Sequence, residues 1–477
     1  MLPSTELALL RRVAHEQATC RAPSLVAAVV REGGLVWSGA RGRVDGEVPG
    51  PDTQYRIGSI TKTFIAVLVM RLRDEGKLDL NDPLDKHVPG TVMGDRTLAQ
   101  LLSHTGGLTA ESPGVWWERS PGSDWAALQA SLGPEHLVLR AGSKLHYSNV
   151  GYGALGELVS RHRGVSWLEA VNRELLVPLE MTRTTPHPEA PHALGWAVHP
   201  HADVLLPEPA PDAGAMAPAG QLWSTLNDLA RWLRLIAGDT GDVLHPDTMA
   251  EMRAPVMVDD GDHWTGGFGL GLQLVRDSGR RLAGHTGSMP GFLACALTDT
   301  SSGTGSLVLT NATSGVGIMG LSYDLMKIAD EQEPQLPTEW APATVVNQDL
   351  LDLTGVWYWG AAPFQLRLLD QAWLDLVPIQ GGRASRFKPA GDGTWTGLDA
   401  YYAGETLKVV RDANGEVTHI DLATFVFTRR PYEPAGPIPG VSTLTGGVRD
   451  ARPHDKLVTA RQRRRYRRSS IRSRCDP

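Results

Sequence analysis

Two side chains early in the chain have the types and spacing for nucleophilic catalysis. In Tyr55-Arg56-Ile57-Gly58-Ser59-Ile60-Thr61-Lys62-Thr63-Phe64-Ile65 the hydroxyl of Ser59 precedes the amine of Lys62 by three residues. A small Gly58 followed by apolar residues at helical spacing through Leu72 predicts a turn feeding a mostly buried helix, with Ser59 at its opening. Residues three apart share a helix face, which puts the two groups within hydrogen-bond reach. A serine hydroxyl attacks only weakly until a base takes its proton. Lysine can be that base only where burial or a nearby cation lowers its pKa. The apolar helix offers the burial, and its positive end favours an oxyanion at Ser59. Ser-x-x-Lys alone is a weak signal, because Ser385-Arg386-Phe387-Lys388 repeats the spacing inside a stretch patterned as β-strand.

Two later segments add weight. Tyr147-Ser148-Asn149 stands on a loop entering a helix marked by Ala154, Leu155, Leu158 and Val159, and His285-Thr286-Gly287-Ser288 is flanked by strand residues. His104-Thr105-Gly106 has the same His-Thr-Gly form. It follows a short helix, Leu98 to Leu102, that paired glycines stop, and it is read as a structural copy.

Ser59-x-x-Lys62, Tyr147-Ser148-Asn149 and His285-Thr286-Gly287, in that order, resemble the serine β-lactamase and penicillin-binding protein superfamily. The tyrosine in the second motif resembles the class C β-lactamase branch, with its esterase, D-aminopeptidase and D-alanyl-D-alanine carboxypeptidase relatives. The likeness covers roughly residues 10 to 330 and touches Leu101 to Leu108 and Gly220 to Ser224. It implies that Ser59 becomes acylated, that Lys62 and Tyr147 share the proton, and that Tyr147 has a lowered pKa. It also implies that Asn149 orients Lys62 or the substrate amide, and that an oxyanion lies between the N–H groups of Ser59 and Ser288. Drug-degrading members usually carry lysine where this chain has His285. A histidine near its ordinary pKa of about 6.5 is largely neutral at pH 7, which argues against strong preference for an anionic β-lactam or a free C-terminal carboxylate.

The elements that must position these groups are legible in outline. Ser24 to Val36 read as a hairpin, Met319 to Asp330 as a closing helix, and Phe292 to Leu297 and Ser306 to Thr310 as late strands. Strands at both ends with helices between predict an α+β fold, an antiparallel sheet flanked by helices with an inserted helical region. Trp116, Trp117 and Trp125 lie in a loop-rich stretch and are read as core, with lining of a substrate entrance as the alternative. The expected division is a hydrolase domain over 1–335, a linker over 336–349, and a small antiparallel β-barrel, similar to lipocalin-like modules, over 350–432. A Pro/Gly-rich and then Arg-rich tail, 433–477, cannot bury enough apolar surface to fold alone.

A chain of 477 residues exceeds one ordinary core. No run of about 20 apolar residues is present to span a bilayer, and the first residues lack the order of a secretory signal, so a cytoplasmic protein is expected. Cys20, Cys295 and Cys475 have no metal-ligand spacing, and no metal or cofactor is expected. From Asp455 onward nine Lys/Arg face two Asp/Glu, a net +7 that leaves −14 for residues 1–454 out of the total of −7. The tail is therefore read as a solvated extension, with nucleic acid or an anionic membrane as the partner it would suit otherwise. The reading that joins these features is a serine hydrolase acting through an acyl-enzyme on a small ester or amide. The alternatives are an acylatable binding or sensing module, or a weak β-lactamase or D-alanyl-D-alanine carboxypeptidase.

Overall fold

The structure, a computed structural model, describes residues 1–259, 261, 263–337, 339–343, 347–433 and 438. The Arg-rich end therefore lies outside the described residues. The chain divides into two compact units, Met1–Leu336 and the residues from Pro337 on.

The first unit opens with α1 (Pro3–Thr19), then β1 (Ser24–Arg31) and β2 (Gly34–Gly42), which form the expected hairpin. A short β3 (Tyr55–Arg56) and a 3-10 turn over Gly58–Ile60 lead into α2 (Thr61–Asp74). The helical insertion continues with α3 (Leu98–Leu102), α4 (Trp125–Ser131), α5 (Asn149–Arg163) and α6 (Trp167–Val171). Two small pairings follow, β4 (Trp196–Val198) with β5 (Leu205–Pro207), and β3 with β6 (Trp223–Ser224). After α7 (Leu226–Ala237) and α8 (Pro246–Met252) the chain forms β7 (Met257–Val258), β8 (Gly266–Phe268), β9 (Gln273–Asp277), β10 (Arg280–Met289), β11 (Phe292–Asp299) and β12 (Gly305–Thr310). It then closes with α9 (Ile318–Gln332).

Eight strands form one antiparallel sheet in the order β2-β1-β12-β11-β10-β9-β8-β7. The two ends of the unit meet in it, with Leu25 of β1 opposite Thr310 of β12. The period-2 alternation of a strand explains the layering. Leu25, Ala27 and Val29 pack with Cys295, Val308 and residues of α1 and α9 on one face. Val26, Ala28 and Val30 join Ala294, Leu307 and the helices α2, α5 and α7 on the other. Cys295 is fully buried, as a small core residue should be. No helix among the described residues is long and apolar enough to cross a membrane.

The second unit begins with α10 (Gln348–Leu351), which starts inside the segment read as linker. Eight strands follow: β13 (Gly355–Trp359), β14 (Ala362–Leu368), β15 (Leu374–Pro378), β16 (Ser385–Pro389), β17 (Thr394–Gly397), β18 (Thr406–Arg411), β19 (Val417–Leu422) and β20 (Phe425–Phe427). They pair in chain order, and Tyr358 and Thr428 exchange backbone hydrogen bonds of 2.8 and 2.9 Å that bring the two ends together. The result is a nearly closed barrel filled by side chains such as Trp357, Phe364, Phe387 and Phe427. The second Ser-x-x-Lys lies on β16. There, residues three apart point to opposite faces, with Ser385 buried and Lys388 exposed.

A buried polar knot pins the terminal strands of the first unit. Asn311 Oδ1 accepts from both Ser24 N–H and Ser24 Oγ at 2.7 Å, and Ser24 Oγ is 2.8 Å from Tyr55 Oη. Asn311→Leu would strand the Ser24 donors in the core. It should cost about 3 kcal/mol, read as a lower denaturant midpoint for the first unit with an unchanged slope.

Candidate active site

The nucleophile's position is set by backbone contact. Gly58 adopts φ +52°, and a Cβ there would stand 2.7 Å from Ser288 N. Across the same contact a Cβ on Gly287 would stand 1.9 Å from the Ile57 carbonyl oxygen and 3.2 Å from Ser59 N. Only glycine at both places lets β10 lie directly on the 3-10 turn that carries Ser59. The amides of Ser59 and Ser288 are thereby neighbours, the arrangement an oxyanion site requires. Ser59 sits in that 3-10 turn, two residues before the α-helix proper begins at Thr61, so it opens the helical stretch and not the α-helix itself.

Lys62 is fully buried on α2. Its Nζ donates to Ser59 Oγ at 2.9 Å and to the Ala219 carbonyl at 2.7 Å. It lies over the rings of Tyr147, 4.8 Å from the centroid, and Tyr152, at 5.7 Å. Burial drives the ammonium down to about 7, while Glu111 and Glu118 pull in the opposite sense. An amine in that range is part neutral at pH 7 and can accept a proton.

Tyr147, Ser148 and Asn149 arrive on the loop entering α5, as expected, but their roles differ. Ser148 is the N-cap: its Oγ accepts from Gly151 N–H at 3.3 Å and donates to the Thr109 carbonyl at 2.8 Å. Asn149 does not reach Lys62. Its Nδ2 donates to both carboxylate oxygens of Glu111, at 2.9 and 3.0 Å, and Glu111 also accepts from Trp117 Nε1 at 2.6 Å. The helix start turns Asn149 toward that carboxylate, and any effect on Lys62 passes through Glu111. The pKa of Tyr147 also departs from expectation. Burial raises it, with the adjacent Ser59 hydroxyl acting the other way, and the hydroxyl is buried without a partner of hydrogen-bond geometry. The lysine that was to lower it is itself part neutral at pH 7, and Glu111 and Glu118 act to raise the phenol's pKa.

His285 is 3% exposed. Burial, with help from Lys62, pushes it down to about 3, so it is neutral, more firmly than its ordinary pKa implies. Ser59, Tyr147, His285, Thr286, Gly287 and Ser288 share one cleft of about 310 Å³, whose wall Phe268 and Gln273 complete. A larger hollow of about 610 Å³ around Arg73, Lys77 and Glu251 carries no nucleophile beside a base. His104, the structural copy, buttresses the site. Its ring stacks on Tyr147 with centroids 4.1 Å apart, and its Nδ1 accepts from Ser148 N–H at 3.1 Å. Of the three tryptophans Trp117 is buried and holds Glu111, Trp125 is partly buried, and Trp116 is exposed. Glu111 and Gln273 carried no sequence signal, because a lone acid in a loop and a glutamine at a strand start have many ordinary explanations.

Over residues 9–330 the chain matches the family model described as Beta-lactamase, and over residues 346–429 one described as a domain of unknown function (DUF7586). It is 27% identical over 261 residues to beta-lactamase-like protein 2 of Dictyostelium discoideum, covering 50% of this chain and 47% of that protein. To the human putative beta-lactamase-like 1 it is 27% identical over 296 residues, covering 57% of each. The chain thus spans about half the length of these curated relatives. Its fold is similar to D-amino acid amidase from Ochrobactrum anthropi SV3, with TM-score 0.61 at 22% identity over 69% of this chain and 99% of that one. It is similar also to the octameric penicillin-binding protein homologue from Pyrococcus abyssi, with TM-score 0.60 at 20% identity over 88% and 99%.

If Lys62 activates Ser59, labelling of Ser59 by a fluorophosphonate should rise as pH passes through about 7. Glu111→Gln removes a charge that favours the ammonium, so the rise should move down by about half a pH unit. A midpoint that stays in place, or moves up, contradicts the assignment.

Proposed function

The chain belongs to the beta-lactamase family, and from that premise we propose that it is a serine hydrolase working through an acyl-enzyme on a small ester or amide. The observation that carries the proposal is the 2.9 Å contact of Lys62 Nζ with Ser59 Oγ, in surroundings that bring the lysine to about 7. The ammonium form donates that bond. The neutral amine, with one lone pair, accepts the serine proton instead while still donating to Ala219.

In the proposed reaction Ser59 Oγ attacks the acyl carbonyl as Lys62 takes its proton, and the oxyanion is held by the Ser59 and Ser288 amides. Tyr147, whose raised pKa keeps its proton in place, donates to the leaving oxygen or nitrogen and is reprotonated from Lys62. Water then attacks the acyl-enzyme with Lys62 again as base, releasing the acid and restoring Ser59. Fold neighbours named as a D-amino acid amidase and a D-stereospecific amidohydrolase bring D-amino acid amides into the range of substrates proposed.

Ser59→Ala should lower turnover of a p-nitrophenyl ester about 10³-fold or more and abolish fluorophosphonate labelling, while the unaltered protein releases well over one equivalent of product. A Ser59→Ala protein with full activity refutes the proposal.

A further inference from the structure

We propose that a cavity at the end of α8, apart from the catalytic cleft, is a binding site for a small carboxylic acid with an apolar body. The inference does not depend on the hydrolase reading.

The cavity, of about 370 Å³, lies between the end of α8 and strands β7 to β10, within the range of about 300–1,000 Å³ common for ligand sites. Pro255, Val258 and Leu274 line it, together with Arg253, Arg276 and Arg281. The strand register brings two of these cations together. Arg276 of β9 and Arg281 of β10 stand directly opposite each other, so their side chains share one face of the sheet with Leu274 and Ala283. Like charges directly opposite across a strand pair are destabilising. No ion pair relieves this one among the described residues. Asp277 and Asp330 pair with Arg280 instead, Asp299 accepts from Ser301 and Ser302, and Asp259, just beyond β7, forms no ion pair. Arg253, the third cation, is held by the end of α7, where its Nη1 donates to the Ile236 and Ala237 carbonyls at 3.1 and 2.6 Å.

A carboxylate set between Arg276 and Arg281 turns their repulsion into attraction and accepts the guanidinium hydrogens in pairs. The hydrocarbon of the acid then leaves water for Pro255, Val258 and Leu274. A neutral molecule of the same shape gains the burial alone. The site is separate from the catalytic cleft although both use β9. Gln273 stands in the cleft wall and Leu274, the next residue, in the cavity wall, because successive strand residues point to opposite faces.

Octanoate is the probe, titrated by calorimetry into the full chain, with octanamide as its neutral match. Octanoate should bind at one equivalent per chain and about tenfold or more tighter than octanamide. Two variants, Arg276→Gln/Arg281→Gln and the cavity-filling Ala254→Trp at an exposed lining position, should each weaken octanoate about tenfold or more. Ser59→Ala should leave its affinity unchanged. The Arg276→Gln/Arg281→Gln protein should unfold at no lower temperature than its parent, because the repulsion is gone; a markedly lower temperature contradicts the unrelieved charge pair and with it the proposal. Absence of octanoate binding, equal binding of octanamide, or octanoate affinity that survives both variants also overturns it, the last by placing the acid in the catalytic cleft or across the surface.

Discussion

The site depends on a lysine denied water. Lys62 is fully buried, and its Nζ has two polar partners, Ser59 Oγ and the Ala219 carbonyl. Neither carries a full charge, so burying the ammonium is costly and its pKa falls to about 7. The rest of α2 serves this end. From Thr61 to Met70 every residue is buried, with α5 and α6 packed on the helix and Trp232 of α7 stacked on Phe64 at 3.8 Å. A helix that could afford a polar face would leave the amine hydrated and charged, and a charged amine cannot take a proton from serine. What reads in the sequence as an unusually apolar helix is a means of setting a pKa.

A second constraint is the meeting of two backbones. β10 can lie on the turn of Ser59 because Gly58 and Gly287 lack side chains where they touch. Main-chain positions are fixed by the sheet ladder, with His285 opposite Ala296 and Gly287 opposite Ala294 on β11. The distance from the nucleophile to the Ser288 amide is therefore set by hydrogen bonds along the whole strand and not by a flexible side chain. Such preorganisation is what electrostatic stabilisation of a developing oxyanion needs.

The elements were largely legible in the sequence because their signals are local. The β1–β2 hairpin, α3, the late strands β11 and β12 and the closing α9 follow from periodicity and turn residues. The meeting of Ser59, Tyr147 and His285 came from motif order, since no local rule brings together residues almost 230 positions apart. What stayed hidden depended on where a side chain turns after the backbone is placed. Asn149 begins a helix, and its amide swings to Glu111 because that carboxylate is anchored by Trp117. The pKa of Tyr147 could not be read either, because it weighs neighbouring charge against burial, and burial is a property of the folded chain.

The acids beside the lysine look at first like a contradiction. Glu111 and Glu118 favour the ammonium that burial works to discharge. A base is most effective when its pKa lies near the working pH, since a much weaker base is always free yet accepts poorly. Burial alone, with no opposing charge, can carry a lysine as far down as about 5 to 6. On this view the carboxylates limit the fall and hold Lys62 close to 7. Asn149 and Trp117, by fixing Glu111 with three hydrogen bonds, keep that correction constant. The third residue of the Tyr147-Ser148-Asn149 segment then acts on the base from a distance, through the acid it orients.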